Sequence, residues 1–285
     1  MKFAFIGLGK MGGGVCKNLL ANGGKVRVYD LVPDAVEKFV KLGAQAATDA
    51  RDAAAEADAV ITSLPLPTDM ERLLLGDSGI FRIMKKGATL IDVSTIDPAS
   101  ARRFTQSAEE HGLFFLACPL GKGPAQADAG EAPIFAGGRK EIYEKFKGWL
   151  EKMGKPVFYL GDVEQSAAFK LITNLIGMTN VLVMAEGIRL AQKMNIGKEI
   201  FLEACKETGA FSYQMQVRAP WLYAEDFAAR FAVKLAHKDL RLGVEMAQSA
   251  QQACPNFVSA LASYAEAIAQ GLGDEDCLAA VKVLK

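Results

Sequence analysis

One segment near the start of the chain constrains its fold more than any other. It reads Gly7-Leu8-Gly9-Lys10-Met11-Gly12, directly after an apolar run that predicts a strand and before a pattern that predicts a helix. The first glycine permits a tight turn, the second lets a pyrophosphate approach the backbone, and the third lets the helix pack closely on the strand. The helix N-terminus adds N–H donors and the positive end of a dipole. The segment therefore predicts a dinucleotide-binding site made by these six residues.

An acidic residue at the end of the second predicted strand extends this pattern. Asp30 follows Val28-Tyr29 and lies 18 positions after Gly12, where its carboxylate can accept hydrogen bonds from ribose hydroxyls. The next residues, 31–34, include no arginine or lysine that would bind a 2′-phosphate. We therefore predict NAD as the cofactor in preference to NADP.

The order of apolar runs along the chain predicts two domains. Short β-branched or aromatic runs alternate with alanine-rich helical patterns in the first part, as in a parallel sheet with crossover helices. Seven strands are predicted, at 2–6, 25–29, 59–63, 89–92, 113–117, 132–136 and 156–159. A long helix is then predicted from 163 to 195, and further helices at 199–206, 232–252 and 256–270, with no strand. The fold class is α/β, with a doubly wound sheet over residues 1–162 and an all-α domain over residues 163–285.

Composition narrows the classes of partner. The 285 residues are 51% hydrophobic, and 33 basic residues balance 33 acidic ones. Such a chain is typical of a packed globular protein and offers no overall attraction for nucleic acid or an anionic membrane. The five cysteines are scattered singly, so neither a disulfide framework nor a metal site is expected. With no signal-peptide pattern and no apolar stretch of about 18 residues, the chain is expected to be cytoplasmic and to bind a small neutral or anionic molecule.

Lys170 and Asn174 are four residues apart and hence lie on one face of the long predicted helix. Their neighbours along the helix are mainly apolar. A lysine that faces a nicotinamide could deliver a proton to a carbonyl oxygen as hydride arrives, with partial burial lowering its pKa. On spacing alone, a lysine that extends to solvent beside a helix-stabilising amide is an equally good interpretation. The dinucleotide site upstream favours the catalytic interpretation.

Taken together, these segments resemble the β-hydroxyacid dehydrogenases typified by 3-hydroxyisobutyrate dehydrogenase. The resemblance covers nearly the whole chain and is carried by residues 5–12 with Asn18 beyond them, 64–65, 92–98, 119–130, 170–174 and 236–240. It implies a Rossmann domain, an all-helical second domain and an active site in the cleft between them. It also implies a homodimer or homotetramer that transfers hydride between NAD and a small anionic hydroxy acid or semialdehyde.

The resemblance implies a role for several residues of this chain. Lys170 takes the role of general acid/base, and Asn174 that of holding the carboxylate or carbonyl of the substrate. Lys238 would lie near the nicotinamide, where it would bind the cofactor or help to fix the substrate, with Asp239 beside it. The residues implied to contact the cofactor, besides the glycine segment and Asp30, are Leu64, Pro65, Thr95 and Lys238.

One departure from the family pattern bears on the substrate. Many members read Pro-Val-Ser-Gly-Gly-Pro where this chain reads Pro119-Leu120-Gly121-Lys122-Gly123-Pro124. A serine is thus replaced by Gly121 and a glycine by Lys122, and a basic residue there is similar to the sulfolactaldehyde reductase branch. We expect Gly121, Lys122 and Gly123 to contact the substrate, and Lys122 to bind a sulfonate or distal carboxylate, as in sulfolactaldehyde or succinic semialdehyde. The alternative is a solvated lysine on a glycine-rich loop.

Related classes of enzyme have different residues at the corresponding positions of the long helix. The 6-phosphogluconate dehydrogenases have a histidine three residues after the lysine, where this chain has Thr173, and imine reductases generally replace the lysine itself. The alternative from another functional class is a catalytically silent NAD(H)-binding sensor or scaffold protein. Retention of Lys170, Asn174 and Lys238 argues against it, because a degenerate site would have lost some of these residues.

Overall fold

The structure is a computed structural model and describes residues 1–284. It divides into two compact units, Met1–Lys170 and the part from Leu171 onward. The first unit is α/β and the second is helical, as the sequence predicts. The division falls inside one long helix, whereas the predicted domain boundary at 162 coincides with the point where that helix begins. That boundary stays a prediction.

The first unit contains one sheet with helices between its strands. Its strands are β1 (Lys2–Ile6), β2 (Lys25–Tyr29), β3 (Gln45–Ala46), β4 (Ala59–Thr62), β5 (Thr89–Asp92), β6 (Phe114–Ala117), β7 (Ile134–Gly138) and β8 (Val157–Tyr159). Its helices are α1 (Lys10–Ala21), α2 (Pro33–Val40), α3 (Ala50–Ala54), α4 (Pro67–Leu74), α5 (Pro98–Glu110), α6 (Pro124–Asp128) and α7 (Lys140–Met153). The strand order is β3-β2-β1-β4-β5-β6-β7-β8, and β6–β7 is the antiparallel pair in an otherwise parallel sheet.

The order of the strands indicates which edge of the sheet is suited to binding a ligand. The chain runs outward from β1 to β3 and then returns to place β4 on the other side of β1. Open α/β sheets bind ligands at the carboxyl ends of the strands where the strand order reverses in this way. The loops after β1 and β4 therefore lie at the edge where a ligand is expected.

Two apolar cores, one on each face, hold the sheet between its helices. Phe3 and Phe5 of β1 point into one core, while Ala4 and Ile6 of the same strand point into the other. This alternation follows from the two-residue period of a strand. Each fully buried phenylalanine contributes about 1.5–3 kcal/mol through the hydrophobic effect. The loops at the binding edge therefore project from a rigid scaffold.

Helix α8 (Val163–Lys193) starts in the first unit and continues into the second. By length and composition alone it could cross a membrane, a test that core helices of soluble proteins also pass. The second unit continues with α9 (Lys198–Lys206), α10 (Tyr213–Tyr223), α11 (Val233–Ser249) and α12 (Pro255–Ala269). Up to residue 284 this unit contains no strand, and an isolated bridge joins Ala232 to Asp276.

Asp276 anchors the C-terminal segment of the second unit. Its carboxylate is fully buried and accepts backbone N–H bonds from Arg230, Phe231 and Leu278 at 2.9, 2.9 and 3.1 Å. It also pairs with the buried guanidinium of Arg218 at 3.4 Å. Because the carboxylate is both paired and hydrogen-bonded, the charge is tolerated in the core.

Two elements differ from the sequence-based expectation. Strand β3 has only two residues, too few to show an alternating pattern. Helix α10, which contains Pro220 in its interior, was not among the predicted helices. The seven predicted strands and the four predicted helices agree with the observed ones to within about three residues, the usual uncertainty of element ends.

Candidate functional site

The glycine turn between β1 and α1 has the shape of a phosphate cradle. Gly7 has φ +94°, and a Cβ there would lie 2.2 Å from the carbonyl oxygen of Ser63. A Cβ on Gly12 would lie 2.2 Å from the carbonyl oxygen of Gly7. By contrast, a Cβ on Gly9 would meet no described atom within 4 Å. Internal packing thus explains the first and third glycines, while the second leaves open space at the N-terminus of α1, as a pyrophosphate requires.

Asp30 holds the glycine turn and the loop after β2 in place. Its Oδ2 accepts the Leu8 N–H at 2.6 Å, and its Oδ1 accepts the Val32 N–H at 2.9 Å. An ionised carboxylate offers about four acceptor positions, so these two bonds leave capacity for ribose hydroxyls. Leu31 beside it is 86% exposed, and no cation follows until after Asp34. The arrangement fits a bound dinucleotide.

A buried hydrogen-bond network joins the loops after β4 and β5. The Asp92 Oδ1 accepts from the Thr62 hydroxyl at 2.9 Å and from the Ser94 hydroxyl at 2.6 Å. The Ser94 Oγ in turn accepts the backbone N–H of Leu64 at 2.9 Å. Leu64, which is expected to line the cofactor, is therefore linked to the buried Asp92 through Ser94, the residue that precedes Thr95. Sequence reasoning assigned no role to Asp92 or Ser94, although buried polar residues at the ends of adjacent strands are a signal for such a network.

The loop at 119–124 is fastened at both ends. The Gly121 N–H donates to the Pro133 carbonyl at 2.8 Å, and the Gly123 N–H donates to the Gln126 Oε1 at 3.3 Å. Between them, Lys122 is exposed and has φ +58°. Residues other than glycine, asparagine and aspartate rarely adopt this conformation. The loop therefore holds a cationic side chain on a strained backbone.

Helices α1 and α6 connect this loop to the glycine turn. A Cβ on Gly14 would lie 2.6 Å from the carbonyl carbon of Ala127, so the two helices are in close backbone contact. The Asn18 amide donates to the carbonyl oxygens of Gly14 and Ala127 at 2.9 and 2.7 Å. Lys17 and Asp128 add an ion pair at 2.6 Å. The glycine turn and the loop bearing Lys122 are therefore linked through the contacts between α1 and α6.

Lys170 lies one turn after a buried anchor of α8. The hydroxyl of Ser166 donates to the Phe135 carbonyl at 2.6 Å and also lies within 3.1 Å of the Ala117 carbonyl oxygen. These carbonyls belong to the carboxyl end of β6 and to β7, so the first turns of α8 are fixed against the sheet. Lys170 itself is half-buried. Sequence reasoning missed Ser166, a small polar residue at full burial on an apolar helix.

A second polar cluster lies within the second unit. The Asn174 amide donates from Nδ2 to the Asp239 Oδ2 at 2.6 Å, and the Lys238 Nζ pairs with the Asp239 Oδ1 at 2.8 Å. Lys238 and Asp239 are only 7% and 2% exposed. Buried charges persist where they are paired and hydrogen-bonded. Asp239 thus orients the two side chains that the sequence singled out on α8 and α11.

The structure brings the sequence-derived residues together in two groups. In the first unit, the glycine turn, Asp30, Leu64 to Pro65, Thr95 and the loop at 121–123 follow the carboxyl ends of strands or adjoin them. In the second unit, Asn174 and Lys238 meet at Asp239. Their roles toward ligands stay predictions. Residues 1–284 contain no group of three or more His, Cys, Asp or Glu side chains that could hold a metal ion.

Similarity to known proteins covers both units. A family model described as the NAD binding domain of 6-phosphogluconate dehydrogenase matches residues 2–161. A second, described as NAD-binding of NADP-dependent 3-hydroxyisobutyrate dehydrogenase, matches residues 165–284. The 2-(hydroxymethyl)glutarate dehydrogenase of Eubacterium barkeri is 32% identical over 99% of this chain and 94% of its own length. The 3-sulfolactaldehyde reductase of Escherichia coli is 29% identical over 96% of this chain and 92% of its own.

A solved structure has a similar fold over both units of the chain. The crystal structure of 3-hydroxyisobutyrate dehydrogenase from Salmonella typhimurium covers 99% of each chain with a TM-score of 0.90 and 26% identity. The glycine cradle and these similarities define an NAD(P)-dependent oxidoreductase that acts on CH–OH groups. The chain belongs to the β-hydroxyacid dehydrogenase family, which confirms the resemblance seen in its sequence.

Proposed function

We propose that this protein reduces small aldehydes that carry an anionic group distal to the carbonyl, or oxidises the corresponding hydroxy acids, with Lys170 as general acid/base. The proposal rests on the positions of two polar side chains on α8. Lys170 and Asn174 are one turn apart on it, and Asn174 is held by the buried Asp239. Such a pair can present a proton donor and a fixed amide to one carbonyl substrate.

The residues of the chain divide the chemistry among themselves. A bound nicotinamide dinucleotide supplies or accepts the hydride. Lys170 donates a proton to the carbonyl oxygen during reduction and takes it back during oxidation. Asn174 holds the carboxylate or carbonyl of the substrate, and Lys238 adds positive charge that favours an acid group. Asp239 keeps both side chains in one orientation.

Lys122 is proposed to bind the distal anionic group. Its backbone is held at φ +58°, although the family pattern has a glycine there, which adopts this conformation without strain. Strain that a chain retains at one exposed loop residue suggests a function for its side chain. The names of two relatives support this, since 2-(hydroxymethyl)glutarate carries a second carboxylate and 3-sulfolactaldehyde a sulfonate.

Replacing Lys122 with glycine should separate stability from substrate recognition. We expect the free energy of unfolding to rise by up to about 1 kcal/mol because the strain is relieved. KM for aldehydes with a distal anionic group should rise at least about tenfold, while KM for NADH stays constant. The matched control is Gln251→Gly, which relieves a similar φ of +55° in the second unit. An unchanged KM for every such aldehyde would contradict the role of Lys122.

NAD is proposed as the preferred cofactor, on the evidence of Asp30 and its neighbours. A 2′-phosphate would meet the Asp30 and Asp34 carboxylates and no cation in the 31–34 loop. Because Leu31 is 86% exposed, Leu31→Arg should fold normally and raise the kcat/KM ratio of NADPH to NADH by about tenfold. Leu31→Gln serves as the uncharged control. A wild-type protein that prefers NADPH would overturn the assignment.

A homodimer or homotetramer is also proposed. Ile176, Val183 and Leu190 repeat every seven residues along α8 and are 48%, 60% and 62% exposed. A heptad stripe of exposed apolar residues is suited to packing against another helix, here a second copy of the chain. Val183→Glu with Leu190→Glu should therefore lower the mass measured by light scattering to that of one chain. Val258→Glu, at a 47% exposed position of α12, should leave the mass unchanged.

The proposed function is tested by offering the purified protein four aldehydes in parallel. These are methylmalonate, tartronate and succinic semialdehydes and sulfolactaldehyde, with NADH or NADPH oxidation followed optically. Higher kcat/KM for the last two supports a subsite for a distal anion. Higher kcat/KM for the first two would leave the hydroxyacid dehydrogenase assignment standing and remove the subsite.

A further inference from the structure

Three aromatic rings form a cluster at the end of the sheet where β7 and β8 lie. Phe135 of β7 is in the middle, stacked on Phe158 of β8 with ring centroids 6.0 Å apart. On its other side, its ring lies 4.7 Å from that of Phe169 on α8, at an angle of 59°. Phe158 is 47% exposed, so it is the outer ring of the cluster. Phe135 is the ring that links β8 to α8.

The same Phe135 ring closes the space beside Gly121. A Cβ on Gly121 would lie 2.7 Å from the Pro133 Cγ and 3.1 Å from the Phe135 Cε2. Real Cβ atoms essentially never approach other heavy atoms closer than about 3.0 Å, so position 121 has no room for a side chain. In this glycine-rich loop, Lys122 is therefore the residue whose side chain can contact a ligand.

The backbone of Phe135 is bonded to the same two segments as its ring. Its N–H donates to the Pro119 carbonyl at 3.0 Å, at the start of the loop that bears Lys122. Its carbonyl accepts the Ser166 hydroxyl at 2.6 Å, one turn before Lys170. Through backbone and ring together, one residue therefore sets the separation of the Lys122 loop from the turn of α8 that ends at Lys170.

We propose that Phe135 is a positioning residue that determines which substrate length the enzyme prefers. The inference rests on the proposed function, in which Lys122 binds the distal anion and Lys170 faces the carbonyl. A ring of fixed size holds the two segments apart, so a substrate of one length fits both. Enzymes discriminate a single methylene by about 10–200-fold where the site is rigid. A smaller side chain at 135 would let the loop shift and weaken this discrimination.

The test compares Phe135→Leu with Phe158→Leu, which alters the outer ring of the same cluster. kcat/KM is measured with NADH for the semialdehydes of malonic, succinic and glutaric acid, which differ by one methylene each. We expect Phe135→Leu to reduce the ratio between the best and the next-best substrate by about threefold or more. Phe158→Leu should keep the wild-type ratio. Equal ratios in the wild type and in Phe135→Leu would overturn the role of Phe135 and leave the proposed function standing.

Thermal unfolding tests the contact between position 121 and the Phe135 ring without any substrate. Gly121→Ala should lower Tm by several degrees in the wild type and by less in the Phe135→Leu background, with Pro133 preventing full recovery. The same loss of Tm in both backgrounds would show that the ring does not confine position 121, and would overturn the proposal. If the wild type reduces none of the three semialdehydes, the length role fails, while the proposed function is decided separately with methylmalonate and tartronate semialdehydes and sulfolactaldehyde.

Discussion

Replacing Lys170 with alanine is expected to lower kcat by about 10²–10⁴-fold while the dissociation constant of NADH changes little. General acid/base groups contribute an effect of this size, because without them the proton must come from water. Lys170 lies on α8 after the Ser166 anchor and is not part of the glycine turn between β1 and α1, which we expect to bind the pyrophosphate. The measurement combines steady-state kinetics with NADH fluorescence titration.

Two further results distinguish a proton donor from a structural lysine. Added primary amines should restore part of the activity of Lys170→Ala, since a small amine can supply the missing proton. Lys193→Ala, at an exposed position near the end of the same helix, should keep the wild-type kcat. Equal losses of kcat and of NADH affinity in Lys170→Ala would identify the lysine as structural and contradict the mechanism.

Replacing Gly9 with alanine is expected to weaken NADH binding at least about 30-fold, or about 2 kcal/mol, without unfolding the protein. A Cβ there meets no atom of residues 1–284 within 4 Å, and φ is −64°, so the backbone is unstrained. Because Gly9 is the N-cap of α1, the loss of stability should be at most about 1 kcal/mol. The added carbon would instead occupy the space that the pyrophosphate needs. Isothermal titration with NADH and a thermal melt measure the two effects.

Gly12→Ala is the contrasting change. A Cβ at position 12 would lie 2.2 Å from the Gly7 carbonyl oxygen, so the protein should lose stability as well as NADH binding. Gly148→Ala is the neutral control, because a Cβ on this residue of α7 meets no described atom within 4 Å. Wild-type NADH affinity in Gly9→Ala would contradict the assignment of the cradle.

Local sequence patterns predicted most of the fold and part of the site. Strands such as β1 and the long α8 have apolar patterns that follow from their own geometry, and the glycine turn is contiguous. Contacts between distant residues were not predictable in this way. Asn174 and Asp239 are 65 residues apart, and Thr62 and Asp92 are 30 apart, so only the folded chain brings each pair together.

Backbone conformation and ring packing were also beyond the sequence pattern. The lysine at 122 is visible in the sequence, but its φ of +58° depends on bonds from flanking residues. Likewise, Phe135 is an ordinary strand residue by its pattern. Its ring acquires significance only because Gly121 and Phe169 pack against it.

The central claim is that this chain transfers hydride and uses Lys170 to move the proton. A single-turnover experiment with NADH deuterated at C4, the purified protein and succinic semialdehyde tests it most directly. We expect deuterium on the hydroxyl-bearing carbon of the product, formed rapidly by the wild type and about 10²–10⁴-fold more slowly by Lys170→Ala. Binding of NADH without its consumption, with this aldehyde or with sulfolactaldehyde, methylmalonate semialdehyde or tartronate semialdehyde, would contradict the account and identify a silent sensor or scaffold.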